Sequence, residues 1–156
     1  MPDRSVLHIT VAAVVMFQQR FLCVEEIDKV SGRRVLNQPA GHVEPGEDVL
    51  HAVKRELFEE TGLLLEPSGW LGISQLKTSQ GHWYYRVNFI FEPAVLPDSY
   101  LPQDPDILAL RWLSAEEFTK PPLPLRSELV HTAVQQYQAN VRLPLTAITP
   151  LVCLTD

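Results

Sequence analysis

Glu56, Glu59 and Glu60 fall on consecutive turns of one predicted helix, with Arg55 just ahead of them and Gly62 just behind. Taking Val49 as 0° and about 100° per residue, Val53, Leu57 and Leu50 lie at about 40°, 80° and 100°, forming an apolar stripe. Glu60 falls at about 20°, Glu56 at about 340° and Glu59 at about 280°. A solvated charge run would place its acids opposite the stripe, yet two of these three lie within it or at its edge. Carboxylates at i, i+3 and i+4 repel one another, and partial burial adds a desolvation cost. Divalent cations offset both terms, and oxygen-only ligands favour Mg²⁺ or Mn²⁺. Such a site turns a helix that repels anions into one that can receive an anion and activate water against it.

The segment before the helix fits that chemistry. Gly41-His42-Val43-Glu44-Pro45-Gly46-Glu47 leads straight into it, and its glycines let the backbone turn carbonyls toward a cation. Asp48 predicts the N-cap and Gly62 the left-handed C-terminal residue of a helix over residues 48–61. The rest of the chain must position this unit. Residues 6–17 are almost wholly apolar and β-branched and predict a buried strand; Gln18-Gln19 predicts a turn, and residues 21–27 the return strand. Residues 29–34 read as a turn, and residues 37–46, with two prolines and two glycines, as a loop. Strands are predicted at 70–76, 82–92 and 107–113, with a four-proline loop over 93–105. Ser114-Ala115-Glu116-Glu117 resembles a capping box opening a short helix, and Leu129, Val130, Ala133, Val134 and Tyr137 mark a core-facing helix over 127–138. Separated helices with mixed hairpins predict an α/β sandwich, a mixed sheet between helices, in one domain over residues 1–156.

Gly41, five residues, Glu47, seven residues, then Arg55-Glu56-Leu57-Phe58-Glu59-Glu60-Thr61-Gly62-Leu63 matches the signature of the Nudix hydrolases. Every fixed position of that box is present. The N-terminal strand pair, the Asn37-Gln38-Pro39-Ala40-Gly41-His42 approach and Arg111-Trp112-Leu113-Ser114-Ala115-Glu116-Glu117 further resemble the NudJ-type phosphatases of that family, over about residues 7–147. The resemblance implies a Nudix-type α/β/α sandwich and a Mg²⁺-dependent hydrolase, Mn²⁺ being the alternative ion. It implies Glu56, Glu59 and Glu60 as metal ligands together with a carbonyl near Gly41. Glu56 would also deprotonate or orient the attacking water, and Arg55 would fix Glu47 or Glu59. The implied reaction cleaves a phosphoanhydride, releasing terminal phosphate from nucleoside tri- and diphosphates or from a thiamine-precursor pyrimidine pyrophosphate. Cleavage of ADP-ribose or dinucleotide polyphosphates is the second reading, and a binding module without catalysis the third.

His82, Tyr84, Arg86 and Asn88 share the polar face of their strand. Either Tyr84, Arg86 and Asn88 bind substrate, supplying a stacking ring and a guanidinium for phosphate, or this is a solvated face. Trp83 and Tyr85 fall on the apolar face and read as core. Asp104 and Asp106 are either turn residues or an extra acid of the site. Cys23 and Cys153 read as apolar fillers.

The charge distribution narrows the function. The 156-residue chain carries −6, and residues 41–66 alone hold seven acids against two bases. With no basic excess, nucleic acid is not an expected partner; the resemblance implies a small diphosphate instead. The longest apolar run, residues 11–17, is far short of the roughly 20 residues a membrane helix needs. Neither a signal peptide nor a disulfide framework is indicated, which points to the cytoplasm, as monomer or homodimer.

Overall fold

The computed structural model describes residues 7–155; Val6, the first residue of the predicted opening strand, lies outside them. In chain order the strands are β1 (Leu7–Phe17), β2 (Arg20–Ile27), β3 (Arg34–Asn37), β4 (Ala40–His42), β5 (Gly69–Lys77), β6 (Trp83–Phe91) and β7 (Ile107–Ser114); the helices are α1 (Val49–Thr61) and α2 (Glu128–Gln138). They form a seven-stranded mixed sheet in which β1 runs parallel to β6 and antiparallel to β4, while β2 takes β3 on one side and β7 on the other.

Alternation along β1 and β6 builds the two sides of the sandwich. Val11, Ala13, Val15, Phe89 and Phe91 pack with Ala52, Val53 and Leu57 of α1. Val14 and Ile90 point the other way, onto Val130, Ala133 and Val134 of α2. Both faces are covered, which is why β1 reads as a continuous apolar run rather than alternating. None of the described helices is long and apolar enough to cross a membrane.

The helix that carries the acids is fixed at both ends. Asp48 is extended and its carboxylate accepts from Leu50 N at 2.8 Å; Gly62 adopts φ +79° and donates to the Phe58 carbonyl at 2.7 Å. Gln103 N and Asp104 N both donate to the Glu59 carbonyl, at 2.7 and 2.8 Å, so the proline-rich loop closes over the helix end.

Four sequence expectations need correction. The loop over 37–46 contains β4, because three residues are enough to pair with β1 (Thr10 with His42, Ala12 with Ala40) yet too few to show a period. Trp83 is 45% exposed: that end of the sheet face is uncovered, with its β1 partner Leu7 exposed too, and Lys77 Nζ sits 4.9 Å from the centre of the Trp83 ring. Cys23 is buried as expected, but Cys153 is exposed. The helix after Ser114 is one 3₁₀ turn, Glu116–Phe118, opened by a reciprocal capping box between Ser114 and Glu117. The tail beyond Asn140, which has no legible pattern, is tied down by a bridge from Leu143 to Trp70.

A Cβ at position 62 would run into the Leu101 carbonyl and would sit at a left-handed φ. Gly62→Ala should therefore destabilise the fold by about 2 kcal/mol or more. Urea unfolding checks this, and an unchanged midpoint would mean the loop contact over α1 is dispensable.

Candidate active site

Glu60 is only 6% exposed although it is a carboxylate. Its place in the apolar stripe of α1 forces this, and one hydrogen bond makes it tolerable: Ala40 N donates to Glu60 Oε2 at 3.0 Å. Burial pushes the Glu60 carboxyl up to about 9, with the charges of Glu26, Glu56 and Asp104 adding to the shift and the Ala40 amide opposing it. Glu56 is also raised, chiefly by burial, against the pull of Arg55. Its carboxylate occupies the space a side chain on Gly41 would take. Loop and helix thus meet with no room for a Cβ.

Arg55 organises the other acids. Its Nε and Nη2 donate to both oxygens of Glu47 at 2.6 and 2.9 Å, its Nη1 to Glu56 at 2.8 Å and Glu59 at 3.1 Å, and Nη2 also to the His42 carbonyl at 3.0 Å. The paired guanidinium holds Glu47 down at about 2. Glu59 is the most open of the helix acids, its side chain 46% exposed.

Among the described residues, no three His, Cys, Asp or Glu side chains converge as a ready-made metal cage; Arg55 instead spans Glu56 and Glu59. The donor chemistry still suits a hard divalent cation. It consists of carboxylate oxygens, two of them on groups whose burial is relieved by a bound cation, next to a backbone segment that admits only glycine.

Gly41 opens onto a cleft of about 590 Å³ on the α2 side of the sheet. Tyr84 and Arg86 line it, as do His8, His42 and His82. Tyr84 stacks on His8, with ring centroids 4.5 Å apart and planes at 12°. Arg86 reaches the cleft from the sheet floor, its Nη2 donating to Asn37 Oδ1 at 3.1 Å and Gln38 Oε1 at 3.0 Å. Asn88 does not belong to this wall. It is fully buried and donates to Ser74 Oγ at 2.9 Å, tying β6 to β5. Asp104 closes a turn by accepting from Asp106 N at 2.8 Å while its charge still reaches Glu60; Asp106 is exposed, 3.8 Å from Lys29. A second, more open hollow of about 620 Å³ lies between the proline-rich loop and β7, away from Gly41.

Glu26, Asn37, Gln38 and Arg126 also gather at the cleft or beside it, outside the residues singled out as binding candidates from sequence. A bulge between Glu25 and Glu26 breaks the register of β2 against β7. Glu25 is buried against Arg34 and Arg111, while Glu26 accepts from Asn37 and Arg126 in the cleft. Adjacent acids in a strand are the available signal, though not which of them faces the cleft.

A mixed-sheet sandwich in which a glycine-bearing segment meets the acids of α1 at the mouth of a cleft fits the hydrolysis of phosphoanhydrides. The NUDIX domain matches residues 6–133, and the chain belongs to the Nudix hydrolase family. It is 39% identical over 142 residues to Phosphatase NudJ of Escherichia coli (strain K12) and to that of Shigella boydii serotype 4, with 90% of each chain covered. A Nudix hydrolase from Nitrosomonas europaea has a similar structure, with a TM-score of 0.81 and 35% identity over 91% of this chain and 95% of its own. Nudix hydrolases act on small phosphoanhydrides and generally need a divalent metal.

Glu60 makes metal-free stability depend on pH. Its folded value, about 9, lies above the ordinary 4.5. The stability that this shift represents is therefore full below about pH 4.5 and lost as pH rises through about 9. Glu60→Gln keeps an oxygen for Ala40 N and cannot ionise. In EDTA its thermal midpoint should exceed wild type at pH 8–9 and vary less between pH 5 and 9. Parallel curves for the two proteins would show that Glu60 is not the group responsible.

Proposed function

We propose that the protein is a Mg²⁺-dependent phosphatase, Mn²⁺ substituting, that removes the terminal phosphate of nucleoside tri- and diphosphates or of a thiamine-precursor pyrimidine pyrophosphate. The observation that carries this reading is the pairing of Glu60, buried in the apolar stripe, with Glu56 tucked under Gly41 at the mouth of the cleft. Glu56, Glu59, Glu60 and the Gly41 carbonyl would hold the cation. When bound, it neutralises the anhydride oxygens and acidifies coordinated water.

The chain's own groups do the rest. Glu56, whose pKa is raised by burial, is suited to take the proton of the attacking water. Arg55 positions Glu56, Glu59 and Glu47 from one guanidinium and keeps the loop at the His42 carbonyl in register with the helix. Tyr84 offers the cleft a planar ring and Arg86 a cation for phosphate. Similarity to the NudJ phosphatases over 90% of the chain supports terminal-phosphate release. The reading treats residues 1–156 as one catalytic unit, cytoplasmic, acting on small molecules as monomer or homodimer.

A product screen over nucleotides and pyrimidine pyrophosphates tests it. Orthophosphate as the sole inorganic product, with the organic product one phosphate shorter than the substrate, supports the reading, whereas pyrophosphate or a mononucleotide from an intact dinucleotide overturns it in favour of internal cleavage. Turnover should vanish in excess EDTA and return with Mg²⁺. Glu56→Gln should lose at least about 10²-fold in rate with its fold intact. Glu66→Gln, at an exposed carboxylate paired with Lys54, should stay near wild type, and equal losses at both positions would sink the site assignment.

Tyr84→Ala should raise KM roughly ten- to a hundredfold with a smaller change in kcat, the effect of losing one stacking platform. Steady-state kinetics on a nucleotide and on an aliphatic pyrophosphate separates this from a general loss of fold. Equal KM changes on both substrates would remove Tyr84 from base recognition.

A further inference from the structure

At the far side of the cleft from Glu56, three features converge. Ser127 and Leu129, the N-cap and second residue of α2, line the wall. Ser127 is extended but its hydroxyl makes no capping bond, so the first turn of α2 keeps amides unclaimed by a side chain. Arg86, 6% exposed, is directed at the same place: its Nη2 holds Gln38 Oε1, and Gln38 Nε2 in turn donates to the Val130 carbonyl of that turn at 2.8 Å. The Nε of Arg86 is buried without a partner; among the described residues its guanidinium forms no direct ion pair, and the charges of Glu60 and Glu26 reach it only from beyond ion-pair distance. Arg126, beside it, is matched by Glu26 at 3.0 Å and Asp28 at 3.7 Å.

We infer that the N-terminus of α2 and Arg86 form a phosphate subsite separate from the acidic helix, taking either the second phosphate of a ligand that spans the cleft or free orthophosphate. The inference rests on the proposed function only in treating this cleft as the one that receives substrate. Helix amides and dipole favour an anion there, and a buried guanidinium with no carboxylate in direct contact gains by meeting an anion. Burial lowers the Arg86 pKa to about 10 against the opposing charges of Glu60 and Glu26, so the group remains cationic at neutral pH.

Orthophosphate is titrated into the full-length, ¹⁵N-labelled protein in EDTA, with chloride at matched ionic strength as control, and backbone amide shifts are followed. Saturable shifts at Glu128 and Leu129 are expected. Arg86→Ala is a poor variant, since Arg86 also holds Asn37 and Gln38. Ser127→Asp is better: aspartate is a favoured N-cap, so α2 is retained while its charge competes with the anion. Its affinity for orthophosphate should fall at least about tenfold. No saturable shift at those amides, or unchanged affinity in Ser127→Asp, overturns the subsite. Adenosine 3′,5′-bisphosphate and adenosine 5′-monophosphate distinguish the two sources. Tighter binding of the bisphosphate that disappears in Ser127→Asp assigns the subsite to a ligand-borne phosphate; equal binding of the two, with orthophosphate still shifting the amides, assigns it to the free ion. Because the titration contains no metal, failure of the hydrolase reading leaves this result standing, and an active enzyme without the shift loses the subsite alone.

Discussion

One hydrogen bond between a loop and a helix, from the Ala40 amide to the Glu60 carboxylate, joins the two halves of this site. Without it a carboxylate would lie in an apolar stripe with little to compensate its burial. With it, the same contact places the next residue, Gly41, against Glu56. The loop is held there from behind as well, since Ala13 N donates to the Pro39 carbonyl and β4 pairs with β1. The sheet thus fixes the loop, the loop fixes Glu60, and α1 carries the remaining acids into position.

The arrangement is electrostatically tense in the absence of a cation. Glu56 and Glu60 both have carboxyl pKa values raised by burial, while Arg55 can neutralise only what it reaches, namely Glu47, Glu56 and Glu59. Glu47, bound through both oxygens, takes most of that guanidinium. Glu60 is left with an amide alone. A site held in this state stores affinity for a hard cation, because binding relieves repulsion and desolvation together. On the proposed reading the acids are arranged for a cation that accompanies substrate rather than for the stability of the bare chain.

Much of this was legible in the sequence because α1 is a long element with strong end signals. Asp48 and Gly62 mark its ends, and angular position alone put Glu60 among the valines and Glu59 toward solvent. The limits are equally physical. Alternation says which face of β6 a side chain takes but not how deeply that face is covered along its length, so Tyr84 and Arg86 reach the cleft while Asn88, on the same side, is fully buried. The same blindness to cover misplaced Trp83. Strands of three or four residues, such as β4, have no readable period and exist because a neighbour pairs with them. Arg86 illustrates a further gap: its type suggested phosphate, but its grip on Asn37 and Gln38 depends on residues almost fifty positions away.

The proline-rich connection between β6 and β7 is anchored by two amides on the Glu59 carbonyl and by the backbone of Leu101 against Gly62. Lengthening or shortening it would drag on the turn of α1 that carries the acids. The turn joining β5 and β6 is different. It borders the cleft through Thr78, Ser79, Gln80 and His82, and Gly81 at its tip has open space around it. Diversification of what this scaffold accepts would therefore be channelled into that tip, where insertions can reshape the rim without touching the chemistry, while the longer loop is held to nearly constant length.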